Sequence, residues 1–242
     1  MTITLEWQRC PDGYEIADYG APAIDTAEWL ARNAQNAIAM LRGKELPFDQ
    51  QGMKSGRYVR PVSPRIQAHS LRVDAPAGGR ALAFASARGE GALLNFLRDN
   101  GLPDGDGVME LPLSEIEAMR DRLKSLLAYR LRNATTAEMV AAFNAIPAGL
   151  ALGGRPLLSL AMLPADSGPP LLGYAVRSLF DLMQVEVAQV LGAKGALRTC
   201  ANCGTFFLSG AKSGKREGAI YCSPVCRNAA FRMKHRADER AR

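Results

Sequence analysis

Residues Thr199–Cys226 read TCANCGTFFLSGAKSGKREGAIYCSPVC, and this stretch holds four of the five cysteines in the chain. Cys200, Cys203, Cys222 and Cys226 follow the pattern C-x2-C-x18-C-x3-C. Four thiolates complete a tetrahedral zinc site, and each close pair clamps one edge of the tetrahedron. Ordinary buried cysteines do not fall at paired ligand spacing. Disulfides do not suit an odd cysteine count without a secretion signal. A redox C-x-x-C at Cys200 and Cys203 leaves the second pair unexplained. The spacing therefore predicts one structural Zn2+ held by Cys200, Cys203, Cys222 and Cys226. A closed set of four thiolates leaves no open position for catalysis. Cys10 stands apart and reads as a small hydrophobe.

Local signals give this stretch a shape. Gly204, directly after the first pair, can take the positive φ that ends a tight turn. Ser223 is a good N-cap and Pro224 suits the first helical position. That places Cys222 just outside a helix and Cys226 in its first turn. Between the pairs, GTFFLSGAKSGKREGAIY reads as a strand, a basic turn and a second strand, with Phe206, Phe207 and Ile220 forming a small core. Knuckle, hairpin and ligand-bearing helix together predict a treble-clef-like zinc module.

Charge is concentrated at the same end. Residues 198–242 carry ten Lys/Arg against three acids, while the other 197 residues carry 20 bases and 21 acids. A neutral body with a basic end points to an anionic partner, nucleic acid first. Winding the last helix places Cys226, Ala229, Ala230, Met233 and Ala237 on one arc, assigned to packing. Phe231 is expected to tuck against the module. The candidate nucleic-acid contacts are Lys212, Lys215 and Arg216 in the turn, with Arg227, Asn228, Arg232, Lys234 and Arg236 on the helix. Lys and Arg neutralise phosphates, and Asn and Arg can also bond base edges. DNA is favoured over RNA. A homodimer would offset the small footprint of one module, about 600–1,000 Å². The alternative is a protein-interaction module whose basic helix docks an acidic partner. His235 on this helix is expected to be exposed.

The segment RTCANCGTFFLSGAKSGKREGAIYCSPVCRNAAFRMKHR resembles the CGNR-type zinc finger. Tyr221-Cys222 matches the aromatic-Cys step before the third ligand, and Cys226-Arg-Asn-Ala229 stands where C-G-N-R is expected, with Asn228 shared. The preceding helix, GGRPLLSLAML strand and long helix resemble the domain that precedes this finger in ABATE-type stress-response regulators. The resemblance implies a bacterial transcriptional regulator with zinc on the four cysteines.

The other residues suggest an α+β fold, mostly helical with short strands. The division falls at residues 1–195, a sensor or dimerisation body, and 196–242, the zinc module. Residues 1–20 read as a hairpin turning at CPDG, and residues 26–43 as a capped helix. Residues 44–90, including RALAFAS, read as edge strands. GALLNFLRDNG is a helix with a glycine stop. Capping boxes at Ser114–Glu117 and Thr135–Glu138 open two more helices. RPLLSLAML is a strand, and Pro169-Pro170 starts a long helix to about Val190.

No catalytic constellation emerges. GAKSGKR lacks P-loop spacing, G-x-S-x-G and H-E-x-x-H are absent, and the chain has only two histidines. We therefore expect no enzyme activity. The N-terminus lacks a basic n-region and an apolar h-region, and the longest apolar run is broken by Arg177, Asp181 and Glu186. These features predict a cytoplasmic protein without a membrane partner.

Overall fold

Alternation sets the first strand of the computed structural model. Ile3 and Leu5 are buried and Trp7 half-buried, while Glu6 and Gln8 face out. The structure describes residues 3–19, 56–65, 67–73, 79–104, 110–144, 159–163, 171–176, 178–210 and 213–240. The expected helix at 26–43 lies outside them.

Strand β1 (Ile3–Arg9) is paired antiparallel with β4 (Gln67–Val73), from Ile3 opposite Val73 to Arg9 opposite Gln67. On its other side it runs parallel to β7 (Leu171–Ala175), which pairs antiparallel with β6 (Ser159–Leu163). A second sheet joins β2 (Tyr14–Asp18), β3 (Arg57–Pro61) and the short β5 (Leu111–Pro112).

The expected N-terminal hairpin is thus half right. The chain does turn at Cys10–Gly13, with Gly13 at φ +94° donating to the Cys10 carbonyl at 3.2 Å. But β1 and β2 enter different sheets, each paired along its whole length with another strand, β1 with β4 and β2 with β3. Cys10 is fully buried at the divergence, and its N–H donates to the Tyr14 hydroxyl at 2.9 Å.

Helix α1 (Gly79–Ser86) corrects the strand reading of RALAFAS. Ala81, Leu82, Phe84 and Ala85 are its buried residues, which is helical spacing. Its start is held by a side chain from elsewhere in the chain. The Glu186 carboxylate, distant in sequence, accepts the Ala81 N–H at 2.7 Å and lies 3.7 Å from the Arg80 guanidinium. Helix α2 (Gly89–Asn100) ends at Gly101, as expected. Gly101 has φ +91°, and a β-carbon there would stand 2.8 Å from Trp7 Nε1. That close approach lets the Trp7 indole donate to the Asn100 carbonyl at 2.7 Å.

Helix α3 (Leu113–Leu131) begins directly from β5. Its N-cap position is Pro112, with no side-chain cap, so the Ser114–Glu117 box does not form. Burying Leu113 against the core pulls Ser114 inside the helix. The predicted apolar face, Ile116, Met119, Leu123, Leu126 and Leu127, is buried. Asn133, at φ +54°, closes α3: the Ala134 N–H reaches the Tyr129 carbonyl at 2.9 Å and the Asn133 N–H reaches Arg130 at 3.2 Å. The second capping box forms at α4 (Thr136–Asn144), where Thr135 N donates to Glu138 Oε2 at 2.7 Å and Glu138 N to Thr135 Oγ1 at 3.3 Å.

The helix expected from Pro169-Pro170 instead starts at Leu179. Residues 171–175 form β7, drawn into the gap between β1 and β6, with Gly173 lowering helix propensity. Helix α5 (Leu179–Gly192) then opens at Ser178, whose Oγ accepts the Asp181 N–H at 3.1 Å. It is buried on nearly every face, packs against α1, α3 and β1, and is the centre of the core. Among the described residues, no helix is long and apolar enough to cross a membrane.

Candidate metal centre and basic helix

Strands β8 (Ala196–Thr199) and β9 (Phe206–Ser209) form an antiparallel hairpin with the Cys200–Thr205 knuckle at its tip. The Cys200 N–H donates to the Thr205 carbonyl and the Gly204 N–H to the Cys200 carbonyl, both at 2.9 Å. Gly204 takes φ +72°, the positive value its position called for.

The hairpin expected between the cysteine pairs is displaced. Phe206–Ser209 is a strand, but its partner precedes the first pair. Four residues after a glycine-rich link gave ALRT too little pattern to be read as a strand, although Leu197 is buried. After β9, the Gly210–Lys215 bridge closes the basic turn, and the chain reaches Cys222 without a further strand. Ile220 is 53% exposed and adds nothing to the core, whereas Phe207 is buried.

Helix α6 (Pro224–Arg240) starts as anticipated. Ser223 Oγ accepts the Cys226 N–H at 3.2 Å, and the Ser223 carbonyl accepts from Arg227 at 3.1 Å. This cap and the knuckle bring together all four predicted sulfurs, which lie within 4.8 Å of one another. Cys203 Sγ is 3.6 Å and Cys226 Sγ 3.5 Å from Cys222 Sγ. A tetrahedron with metal–sulfur bonds of 2.3 Å has edges of about 3.8 Å, so the set fits one metal ion.

Electrostatics favour the same conclusion. Burial pushes the Cys200 thiol up, but N–H groups of Cys203, Cys222 and Asn202 outweigh it and bring it down to about 6. Burial and then the neighbouring sulfurs push Cys222 up to about 12. The Ser223 hydroxyl leads the effects that lower Cys226. Four thiolates this close cannot all ionise without a compensating cation.

The cysteine cluster is anchored to the rest of the chain. Leu197 belongs to the main core, and Phe206 and Leu208 pack against it. The Phe206 N–H donates to Ser86 Oγ at 2.8 Å. Arg130 Nη2 donates to the carbonyls of Ala193 at 2.6 Å and Gly195 at 3.0 Å, gripping the link into β8. Arg88 lies over Gly204. None of these anchors had a sequence signal, because each joins residues far apart in the chain.

The candidate nucleic-acid contacts divide between two places. Lys215, Arg216 and Arg227 line a cavity of about 860 Å³, together with Tyr221 and the start of α6. Asn228, Arg232, Lys234 and Arg236 are exposed farther along the helix. Lys212 lies outside the described residues. Among the described residues, none of Lys215, Arg216, Arg227, Arg232, Lys234 or Arg236 is paired with an acid. His235 Nδ1 lies 3.3 Å from Glu239 Oε1 on α6, and His235 is exposed as expected.

Two packing expectations fail here. Phe231 is 71% exposed and Met233 58%, while Cys226, Ala229 and Ala230 are half-buried. Burial on α6 thus stops after its second turn, and the rest of the helix carries its apolar side chains in the open.

The architecture is that of an α+β protein with a C-terminal cluster of four cysteines placed so that they could hold a metal ion. Compared with known proteins, the chain matches no family model, no curated protein and no solved structure.

Proposed function

We propose that the four cysteines hold one structural zinc ion and that the module they shape binds nucleic acid, DNA in preference to RNA, in transcriptional regulation. An all-sulfur tetrahedral set suits zinc. The observation that carries the nucleic-acid reading is the group of cations on α6 and its preceding turn that have no acidic partner among the described residues. Unpaired cations along one helix are free to displace counterions from phosphates. The resemblance of Arg198–Arg236 to the CGNR-type finger supports the same reading, as does the confinement of the net positive charge to this end. One module offers a small footprint, so pairing of two chains would strengthen binding. A regulator of this kind works in the cytoplasm.

The test is fluorescence polarisation of the zinc-loaded protein on duplex DNA across a salt series. The logarithm of affinity should fall linearly with the logarithm of salt, by about 0.9 per phosphate contacted. No binding at low salt with zinc present would reject the reading. A second reading is favoured by one observation: Val225, Phe231 and Met233 are exposed apolar groups among the cations. They suit an acidic protein partner with an apolar face, whose binding would survive when DNA binding is absent.

A further inference from the structure

A small cavity, about 230 Å³, lies where the junction of α1 and α2 meets α3 and the knuckle. Three cationic side chains line it: Arg88 from the junction, and Arg120 and Lys124 from α3. The last two are four residues apart on one helix, so they share a face. Gly204 and Phe206 bring the knuckle to the same cavity. No acid among the described residues lines it. Among those residues, neither Arg88 nor Lys124 has an acidic partner. Glu90, two residues from Arg88, is held by Arg57 at 2.7 Å. Arg120 is partly offset, with Nε 3.2 Å from Asp121 Oδ1 and Nη2 3.7 Å from Glu117 Oε1. The Ser86 hydroxyl is already used: it donates to the Leu82 carbonyl at 2.5 Å and accepts the Phe206 N–H at 2.8 Å.

We propose that this cavity holds a phosphate dianion, either the free ion or the end group of a small phosphate monoester. Its volume lies below the about 300–1,000 Å³ of drug-sized pockets, which suits one compact oxyanion. Charge decides the class. Arg88 and Lys124 supply the two positive charges that a dianion needs, and the guanidinium forks of Arg88 and Arg120 match phosphate oxygens. A singly charged carboxylate would leave one cation unmatched. Helix α2 begins at Gly89, on the cavity wall, with no side chain capping its first turn, so the positive end of its dipole adds to the field. An empty cavity leaves like charges facing one another, and a bound dianion removes that repulsion and links α3 to the knuckle. Arg88, Arg120 and Lys124 are neither metal ligands nor candidate nucleic-acid contacts, so the site does not rest on either reading.

The test is calorimetric titration of the zinc-loaded full chain with inorganic phosphate, methyl phosphate and dimethyl phosphate, at constant ionic strength and about two pH units above the second phosphate pKa of about 6. Inorganic phosphate should bind saturably with one site per chain. Dimethyl phosphate, with the same tetrahedral centre and one charge, should bind at least about tenfold more weakly. Methyl phosphate keeps both charges: affinity equal to that of the free ion identifies a monoester as the ligand, and a much lower affinity identifies the free ion. Arg88→Gln and Lys124→Gln should each weaken phosphate by about tenfold or more, whereas Arg232→Gln with Arg236→Gln should leave it unchanged. Both Arg88 and Lys124 are exposed, so these changes spare the core. Phosphate should also raise the unfolding midpoint of the wild type more than that of Lys124→Gln. The proposal is overturned if phosphate fails to saturate in the millimolar range, if dimethyl phosphate binds equally well, or if the Arg88 and Lys124 variants bind as the wild type does.

Discussion

The guanidinium of Arg88 lies where a β-carbon on Gly204 would crowd it, with Nη2 2.6 Å from that position. Gly204 also holds φ +72°. The knuckle and the body therefore meet at a residue that has to be small for one reason and left-handed for another.

The two reasons can be separated. In Gly204→Ala, the left-handed backbone costs about 1–2 kcal/mol. The clash itself costs less, because the end of Arg88 can swing away. We expect urea unfolding to show a loss of about 1–2 kcal/mol, with metal affinity weakened by roughly tenfold as measured by chelator competition. Adding Arg88→Ala should recover only a small part. Full recovery in the double variant would show that crowding, rather than backbone strain, makes this glycine necessary.

The difference between local and distant information explains what could be read from the chain. Metal ligands repeat at short spacing, so Cys200, Cys203, Cys222 and Cys226 were identifiable, as were the Ser223 cap and the Thr135–Glu138 box. The strand at β7 was obscured because Leu171–Ala175 owes its form to β1 and β6 on either side. Helix α1 was missed because its start is satisfied by Glu186, a side chain far along the sequence. Met233 falls on the packing arc yet is exposed, because helical winding reveals which residues share a face but not where the neighbouring surface ends.

Glu186 is buried, and that burial raises its pKa, opposed by the Ala81 N–H and by Arg80. A carboxyl raised on folding contributes stability that is fully present below the ordinary carboxylate range and lost as pH rises through its folded value. Glu186→Gln keeps a carbonyl oxygen for the Ala81 N–H but cannot ionise. Its stability relative to the wild type should therefore improve as pH rises from that range towards neutrality. Denaturant midpoints measured for both proteins across this interval test the sign; a difference moving in favour of Glu186 would contradict it.

The cysteine cluster should take up one zinc ion per chain, measured by metal analysis of reduced protein. Thiols lose protons on binding, so affinity falls as pH falls. Cys200→Ser or Cys226→Ser should each lower affinity by orders of magnitude. Because Leu197 and Phe207 are buried, chelation should leave β8 and β9 protected in amide exchange. The 216–226 connection and the start of α6, which have no such burial, should lose protection. Protection unchanged throughout after chelation would mean that the metal does not organise this region.

Arg232 and Arg236 are four residues apart on α6, so they share a face, and both are exposed with no acidic partner among the described residues. Reversing them should not disturb folding, since surface changes away from packed contacts shift stability by less than about 0.5 kcal/mol. Their effect on a polyanion should be large. Arg232→Glu with Arg236→Glu should remove duplex binding at moderate salt. The neutral pair, both to Gln, should keep weaker binding with a salt slope shallower by about two. Asn228→Ala should behave differently, because an amide contributes base-edge hydrogen bonds and not phosphate charge. It should leave the slope unchanged and narrow the affinity difference between preferred and random sequences. An unaltered slope in the Gln pair would place the phosphate contacts elsewhere, at Lys215, Arg216 and Arg227 around the cavity at the head of the helix.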